Sequence, residues 1–370
     1  MKVALDATPL LGVRTGVGQY VHGLVEGMVQ LAEPDQLVLV PFSWRGTRDL
    51  PAAAPEGPRV RVGRRRVPAR LLVQAWSRTP LPPVEWLAGR VDVFHATNFV
   101  LPPARRAAGV LTVHDLTYLR FPAMVTAATA RYTTLVPRGL ARGATVCTPT
   151  RAVAAEVMEA YRVPTERVVV TPLGVRPAWF QARPPSPAWL DAHTLPPRYL
   201  LFVGSREPRK GLEVLLAAYR VLLAEEPGAP PLVLAGPPGW GEALDLAGLP
   251  DGAVRMPGYL PEADLMRLVA GSSALVFSSR YEGFGLPPLQ ALACGTPVVA
   301  SDLPALREVL GDQAEFVPVG DHDALAAALA AVLKDDGGAA GRAARRDHAA
   351  AYTWEGCARA PLAAYQRALA

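Results

Sequence analysis

Short apolar runs punctuate the first half of the chain at residues 2–5, 37–41, 91–95, 110–113, 145–148 and 167–171. They are rich in Val and Leu and show no polar alternation, which is the pattern of strands buried on both faces. Patterns of helical period fill some of the gaps, at 17–31 and 150–161. Strand, helix, strand in this rhythm predicts a parallel sheet covered by helices on both sides. Residues 172–198 are dense in proline and hold no period, so they read as a linker. The rhythm then restarts. Strands are predicted at 199–203, 232–235, 254–256, 274–277 and 298–301, and helices at 211–225, 262–270, 288–294 and 323–333, with a terminal helix at 354–369. The expected fold is α/β, with two Rossmann-like doubly wound domains at 1–175 and 185–350. Ligands of such sheets gather at the carboxyl ends of the strands, here in a cleft across which the two domains would face each other.

Composition narrows the class. With 370 residues, 50% hydrophobic and 19% charged, the chain has material for two cores and is not a disordered sequence. The net charge of +5 is modest. It suits anionic small molecules or an anionic membrane surface, and the aromatic and zinc-finger motifs of nucleic-acid binders are absent from the sequence. The cysteines Cys147, Cys294 and Cys357 sit among apolar or small neighbours and read as free buried thiols of a reducing compartment. No Cys/His cluster has metal-ligand spacing, so no metal is expected. The first residues read as a strand rather than a signal peptide, and no apolar run approaches a membrane span, so the expected location is cytoplasmic.

Four segments carry chemistry. The first is Glu282-Gly283-Phe284-Gly285-Leu286, between a predicted strand and helix. Gly283 and Gly285 allow the backbone to approach a ligand closely. The following helix offers unpaired N–H groups and a positive dipole end to a diphosphate. Glu282 is a hydrogen-bond acceptor for sugar hydroxyls, and Gln290 lies later on the same helix. The segment also reads more plainly, as a glycine-containing turn with a solvated glutamate. The second is Gly204-Ser205-Arg206-Glu207-Pro208-Arg209-Lys210-Gly211, a strand-to-helix loop with three cations that would neutralise a leaving diphosphate. Its plain reading is a solvated cluster capping a helix. The third is Thr15-Gly16-Val17-Gly18, a glycine pair after the first strand that lacks the full dinucleotide fingerprint. The fourth is His114-Asp115, emitted at the end of a buried strand. The end-of-strand group His95-Ala96-Thr97-Asn98 is a weaker candidate of the same kind. A separate basic cluster, Arg61, Arg64-Arg65-Arg66 and Arg70, precedes Leu71-Leu72-Val73-Gln74-Ala75-Trp76. It reads either as a peripheral contact with an anionic bilayer or as the solvated face of a surface helix.

On these segments the chain resembles the family 4 retaining glycosyltransferases of the GT-B fold, in particular a bacterial mannosyltransferase-like branch. The resemblance implies sugar transfer from a nucleotide-sugar donor to a glycan or lipid-linked acceptor hydroxyl, with retention and without a metal or other cofactor. GDP-mannose is favoured and UDP-glucose stays open. By resemblance, Glu282 holds the donor sugar, and Lys210 with an arginine stabilises the diphosphate. Members often carry that arginine where this chain has Ser205, so Arg206 is favoured as its substitute, with Arg209 also on the donor. Gly16, Gly204, Gly283, Phe284, Gly285, Leu286 and Gln290 are donor-side positions, and Tyr259 and Leu260 line the base. His114 lies by the transferred sugar, and Gly18, Asn98 and Asp115 by the acceptor. The second acidic position of the family motif is Gln290 here, an amide with one acceptor oxygen where a carboxylate has two. The segment at 353–370 resembles one that crosses back to the first domain. In the family's reaction the leaving phosphate takes the acceptor proton, so no protein base is required. Two rival readings are a GT-B sugar-nucleotide epimerase using His114, Asp115 and Glu282, and a non-catalytic nucleotide-sugar-binding partner of another transferase.

Overall fold

A computed structural model describes residues 1–12, 15–44, 48–63, 65, 67–240 and 243–369. The chain divides into two compact units, Met1–Gly174 with Tyr352–Ala370, and Val175–Ala351. The first unit holds seven strands: β1 (Lys2–Asp6), β2 (Gln36–Val40), β3 (Val60–Val62), β4 (Val93–Ala96), β5 (Ala108–Thr112), β6 (Thr145–Thr148) and β7 (Val168–Val170). The second holds six: β8 (Leu200–Val203), β9 (Leu232–Ala235), β10 (Val254–Gly258), β11 (Ala274–Phe277), β12 (Val298–Ser301) and β13 (Glu315–Val317).

Both sheets are parallel, in the orders β3-β2-β1-β4-β5-β6-β7 and β10-β9-β8-β11-β12-β13. This is the doubly wound order, in which the chain runs outward through three strands and then returns to the other side of the first. The switch points therefore lie between β1 and β4 in one unit and between β8 and β11 in the other. Every residue of β4 and β8 is buried, which accounts for the unbroken apolar character of β8 and for β4 being apolar but for His95. At one edge of each sheet, β3 and β10 carry the exposed arginines Arg61 and Arg255, which discourage further pairing.

The boundary between the units, Gly174 to Val175, falls inside the predicted linker 172–198, but the rest of that segment is folded into the second unit. This part includes helical turns at Pro177–Phe180 and Pro187–Ala192, with Trp179 and Leu190 buried. The Cys294 thiol reaches the Trp179 carbonyl at 3.4 Å. Proline begins each turn at a helix N-terminus, where its missing N–H costs nothing. Proline density there marks helix starts rather than loose chain.

The last helix, Trp354–Leu369, belongs to the first unit and packs on the first helix, Gly16–Gln30. Glycine makes that approach possible. A Cβ at Gly23 would stand 2.1 Å from the Trp354 ring, and one at Gly27 would stand 2.2 Å from the Trp354 carbonyl oxygen. The same helix sends Tyr365 to the fully buried His95, whose Nδ1 lies 2.7 Å from the phenol oxygen. His95 Nε2 lies 2.7 Å from Thr112 Oγ1, which also meets the Tyr20 hydroxyl at 3.0 Å.

Candidate functional site

In the second unit, the loops after β8 and β11 adjoin because their strands are neighbours in the sheet. Ser278 Oγ donates to the carbonyls of Lys210 and Gly211, each at 3.1 Å, and the Arg280 N–H donates to the Arg209 carbonyl at 2.7 Å. Gly211 sits at φ +63, and a Cβ there would meet the Ser278 carbonyl oxygen at 2.2 Å. Only glycine lets the two loops touch this closely.

The contact brings three predicted residues together. Lys210 Nζ lies 2.6 Å from Glu282 Oε1, and Arg209 Nη1 lies 3.1 Å from Glu282 Oε2. Ser279 Oγ donates to Glu282 Oε1 at 2.7 Å. Lys210 also stands over the Phe277 ring at 4.9 Å. Both Lys210 and Glu282 are buried. Burial alone would raise the Glu282 pKa, but the charges of Lys210 and Arg209 and the hydrogen bonds from Lys210 and Ser279 outweigh it. The carboxyl is held well below the ordinary carboxylate range, so it is ionised and can only accept hydrogen bonds. Burial and the Arg209 charge push the Lys210 ammonium down, against the pull of Glu282 and Glu207.

Two residues that sequence reasoning passed over complete this cluster. Glu207 Oε2 accepts from Arg209 Nε at 3.0 Å, and Ser205 Oγ donates to Glu207 Oε1. Glu207 stands in the same cation loop, but nothing in its spacing marks it as the group that orients Arg209. Arg206 points elsewhere, with Nη1 3.5 Å from Met256 Sδ. Met256 within β10 and Tyr259 just after it are exposed, while Leu260 is buried. Gly285 caps the helix Leu286–Cys294 at φ +90, where a Cβ would meet Leu306 at 2.4 Å. Gly283, Phe284, Leu286 and Gln290 are buried. The first turn of that helix contains Pro287 and Pro288, which carry no N–H. The helix therefore offers fewer free donors than expected, and more of any anion's neutralisation falls to Lys210 and Arg209.

In the first unit, the carboxyl ends of β1, β4 and β5 carry a second polar group. The half-buried His114 ring donates from Nε2 to the Thr97 carbonyl at 2.8 Å, leaving Nδ1 as an acceptor. Burial keeps this imidazole neutral by pushing its pKa down against the opposing effects of Thr97 and Asp115. Tyr20 and Phe99 pack edge-on to the ring, with centroids at 5.0 and 5.6 Å. Asp115 Oδ1 accepts from the Thr117 N–H at 2.9 Å. Burial pushes the Tyr132 phenol pKa up, and nearby Asn98 opposes that shift. Of the weaker group, His95 and Thr97 turn inward and are fully buried, so they are corrected from acceptor contacts to core residues. Gly16 opens the first helix in an exposed position, whereas Gly18 is buried.

The chain matches two family models, "Glycosyl transferase 4-like domain" over residues 15–174 and "Glycosyl transferases group 1" over residues 191–352. It is 30% identical over 384 residues to the O-antigen chain mannosyltransferase B of Escherichia coli, covering 99% of this chain and all of that one. This chain belongs to the family 4 glycosyltransferases. The phosphatidyl-myo-inositol mannosyltransferase of Mycolicibacterium smegmatis is 39% identical over 195 residues, spanning 50% of this chain and 48% of its own. Among solved structures, sucrose-phosphate synthase from Thermosynechococcus elongatus superposes with a TM-score of 0.74 at 19% identity, over 99% of this chain and 98% of that one. That likeness supports the GT-B fold for this glycosyltransferase.

The basic cluster lies on the same unit as His114. Arg64 and Arg66 fall outside the described residues. Arg65 stands over the Trp86 ring at 4.4 Å, and Leu71, Leu81 and Trp86 are exposed. Trp76 is not a surface anchor. It is buried with Nε1 donating to the Pro82 carbonyl at 2.9 Å. Among the described residues, no helix is long and apolar enough to cross a membrane.

Proposed function

We propose that this glycosyltransferase moves mannose from GDP-mannose to a hydroxyl of a glycan or lipid-linked acceptor, with retention at the anomeric carbon and without a metal. The observation that carries the reading is the convergence of Lys210 and Arg209 on the buried, ionised Glu282. Two fixed cations meet the charge that develops on a departing diphosphate, and fixed charges in a dry site act without reorganisation. Lys210 has three N–H donors and spends one on Glu282, leaving others for phosphate oxygens. Glu282, held as an acceptor-only carboxylate, suits the hydroxyls of the donor sugar. His114, with its proton on Nε2, presents Nδ1 to a sugar hydroxyl. The leaving phosphate accepts the acceptor's proton. Arg209 takes the arginine role in preference to Arg206, because Glu207 and Glu282 orient it. Gly16 and Gly204 give the diphosphate close backbone approach, Gln290 contacts the ribose, and Tyr259 lies by the base. The names of both mannosyltransferase relatives favour mannose.

Peripheral contact with an anionic bilayer belongs to the same reading. It is supported by Arg65 over exposed Trp86, with Leu71 exposed on the same unit, and it would bring the enzyme to a lipid-linked acceptor at the inner face of the membrane. A thermal-shift panel of nucleotide sugars tests the donor. GDP-mannose should raise Tm more than UDP-glucose, and a response to UDP-glucose alone overturns the choice of sugar. Product NMR reads the anomeric outcome, and turnover in EDTA should match turnover without it. Co-sedimentation with anionic vesicles tests the membrane contact.

A further inference from the structure

We infer that the acceptor surface of the first unit takes neutral sugar hydroxyls and discriminates against a phosphorylated acceptor, with Asp6 and Asp115 as the specificity-determining carboxylates. The inference rests on the proposed transfer reaction and names the chemical class of its acceptor.

Asp6 is the last residue of β1, and β1 and β4 flank the switch point of the first sheet. Ligands of doubly wound sheets bind beyond the carboxyl ends of strands at that point. Asn98 follows β4, and His114 and Asp115 follow β5, so strand order alone gathers these groups at one edge. Tyr132 joins them. Burial first, then the charges of Asp6 and Asp115, push its phenol pKa up, and Asn98 opposes that shift, so all three groups lie near it. Tyr132 is itself held by stacking on Phe99, with centroids 4.5 Å apart.

The two carboxylates are anchored alike. Asp6 Oδ1 accepts from the Thr8 N–H at 2.9 Å, and Asp115 Oδ1 accepts from the Thr117 N–H at the same distance. The Thr97 hydroxyl ties the β4 loop to the Asp6 carbonyl at 2.6 Å, which fixes this end of β1 against its neighbour. Each carboxylate is thus oriented by backbone. The buried hydroxyl of Thr117, beside Asp115, has no hydrogen-bond partner among the described residues. The polar groups of this edge are therefore not all satisfied within the protein. Carboxylates accept hydrogen bonds and do not donate when ionised, as buried Asp6 is above its raised value of about 6, so they match hydroxyl donors and repel phosphate. The two mannosyltransferase relatives differ in this respect by name, one acting on an O-antigen chain and the other on a phosphatidyl-inositol. The carboxylate edge favours the first kind of acceptor.

The test uses the full chain with GDP-mannose and a matched set of acceptors: octyl α-mannoside, its 3-phosphate and its 6-phosphate. GDP release and product mass are the readouts. Wild-type kcat/KM should be about tenfold or more higher for the neutral glycoside than for either phosphate, an effect of like-charge exclusion. Asp6→Asn keeps an acceptor oxygen for Thr8. It should raise the neutral acceptor's KM about fivefold, narrow the neutral-to-phosphate ratio, and leave the donor KM within about twofold. Asp115→Asn should act in the same direction. A phosphorylated acceptor used as well as the neutral one overturns the inference, whether or not the variants fold. Folded variants with unchanged acceptor KM and unchanged ratio also overturn it, leaving the proposed transfer intact. Failure of the wild type to turn over any nucleotide sugar overturns the proposed function, and the inference with it.

Discussion

Lys210 Nζ stands 2.6 Å from Glu282 Oε1, with the two side chains only 9% and 8% exposed. They are 72 residues apart in sequence and meet because β8 and β11 are neighbours. A buried pair of this kind is sensitive to loss of one member, since the other charge is then left stranded.

Lys210→Met should therefore destabilise the fold by about 3 kcal/mol, while the double variant Lys210→Met with Glu282→Gln should cost clearly less. Denaturant unfolding of the single and double variants measures this. A loss in the double variant equal to the sum of the two single losses would show that the pair is not coupled. Both single variants should lower kcat by about 10²-fold or more. The ionised Glu282 also adds stability that is complete above its ordinary value of 4.5 and is lost as pH falls toward about 2. Glu282→Gln should flatten the unfolding curve in that acid range.

Arg209 and Arg206 lie in one loop but face different partners. Arg209→Ala should reduce kcat by about 10²-fold, whereas Arg206→Ala should cost about tenfold or less. Steady-state kinetics with saturating donor decides between them. A larger loss at Arg206 would move the arginine role back to the position favoured by family resemblance.

Gly27 stands against the backbone of Trp354, which has little room to give. Gly27→Ala should destabilise the first unit by about 1–3 kcal/mol through overpacking, although alanine is the better helix former. Thermal unfolding provides the measurement. An unchanged or higher Tm would mean that the last helix is held elsewhere.

His95 is buried between Tyr365 and Thr112, and burial, followed by the nearby His114, pushes its pKa down from 6.5 to about 3. The unfolded chain takes the proton first, so His95 erodes stability as pH falls below 6.5, by about 1.4 kcal/mol per pH unit until the folded value is reached. Asp6 works the other way. Burial raises its pKa from 3.8 to about 6, so protonation below that value relieves a cost to the folded state. The wild-type curve is a sum of both. His95→Gln should remove the first contribution, giving a stability difference from wild type that changes with pH below 6.5. Parallel curves for the two proteins would rule out titration of His95 as the cause.

The apolar runs by themselves determined most of the sheet. Strands buried on both faces need mainly hydrophobic sequence; β8 and β11 are continuously apolar, and β1 and β4 are apolar but for Lys2, Asp6 and His95. The short strands β3 and β13 each carry a charged residue, Arg61 and Glu315, and did not stand out as apolar runs, whereas the equally short all-valine β7 did. Residues 172–198 misled because proline breaks helical periodicity in the sequence yet begins helices in the fold, over buried Trp179 and Leu190. The chemical vocabulary of Lys210, Glu282 and His114 was also legible, since glycines and charges at strand ends stand out against an apolar background. Which charges meet was decided by tertiary structure. Strand order placed Lys210 and Arg209 on Glu282, turned Arg206 toward Met256, folded His95 into the core, and brought the carboxyl end of β1, with buried Asp6, to the same end of the sheet as Asn98 and His114. A hydrophobic pattern fixes which residues are buried. The pairing of polar groups depends on which strands lie side by side, and that order is set by the packing of the whole domain.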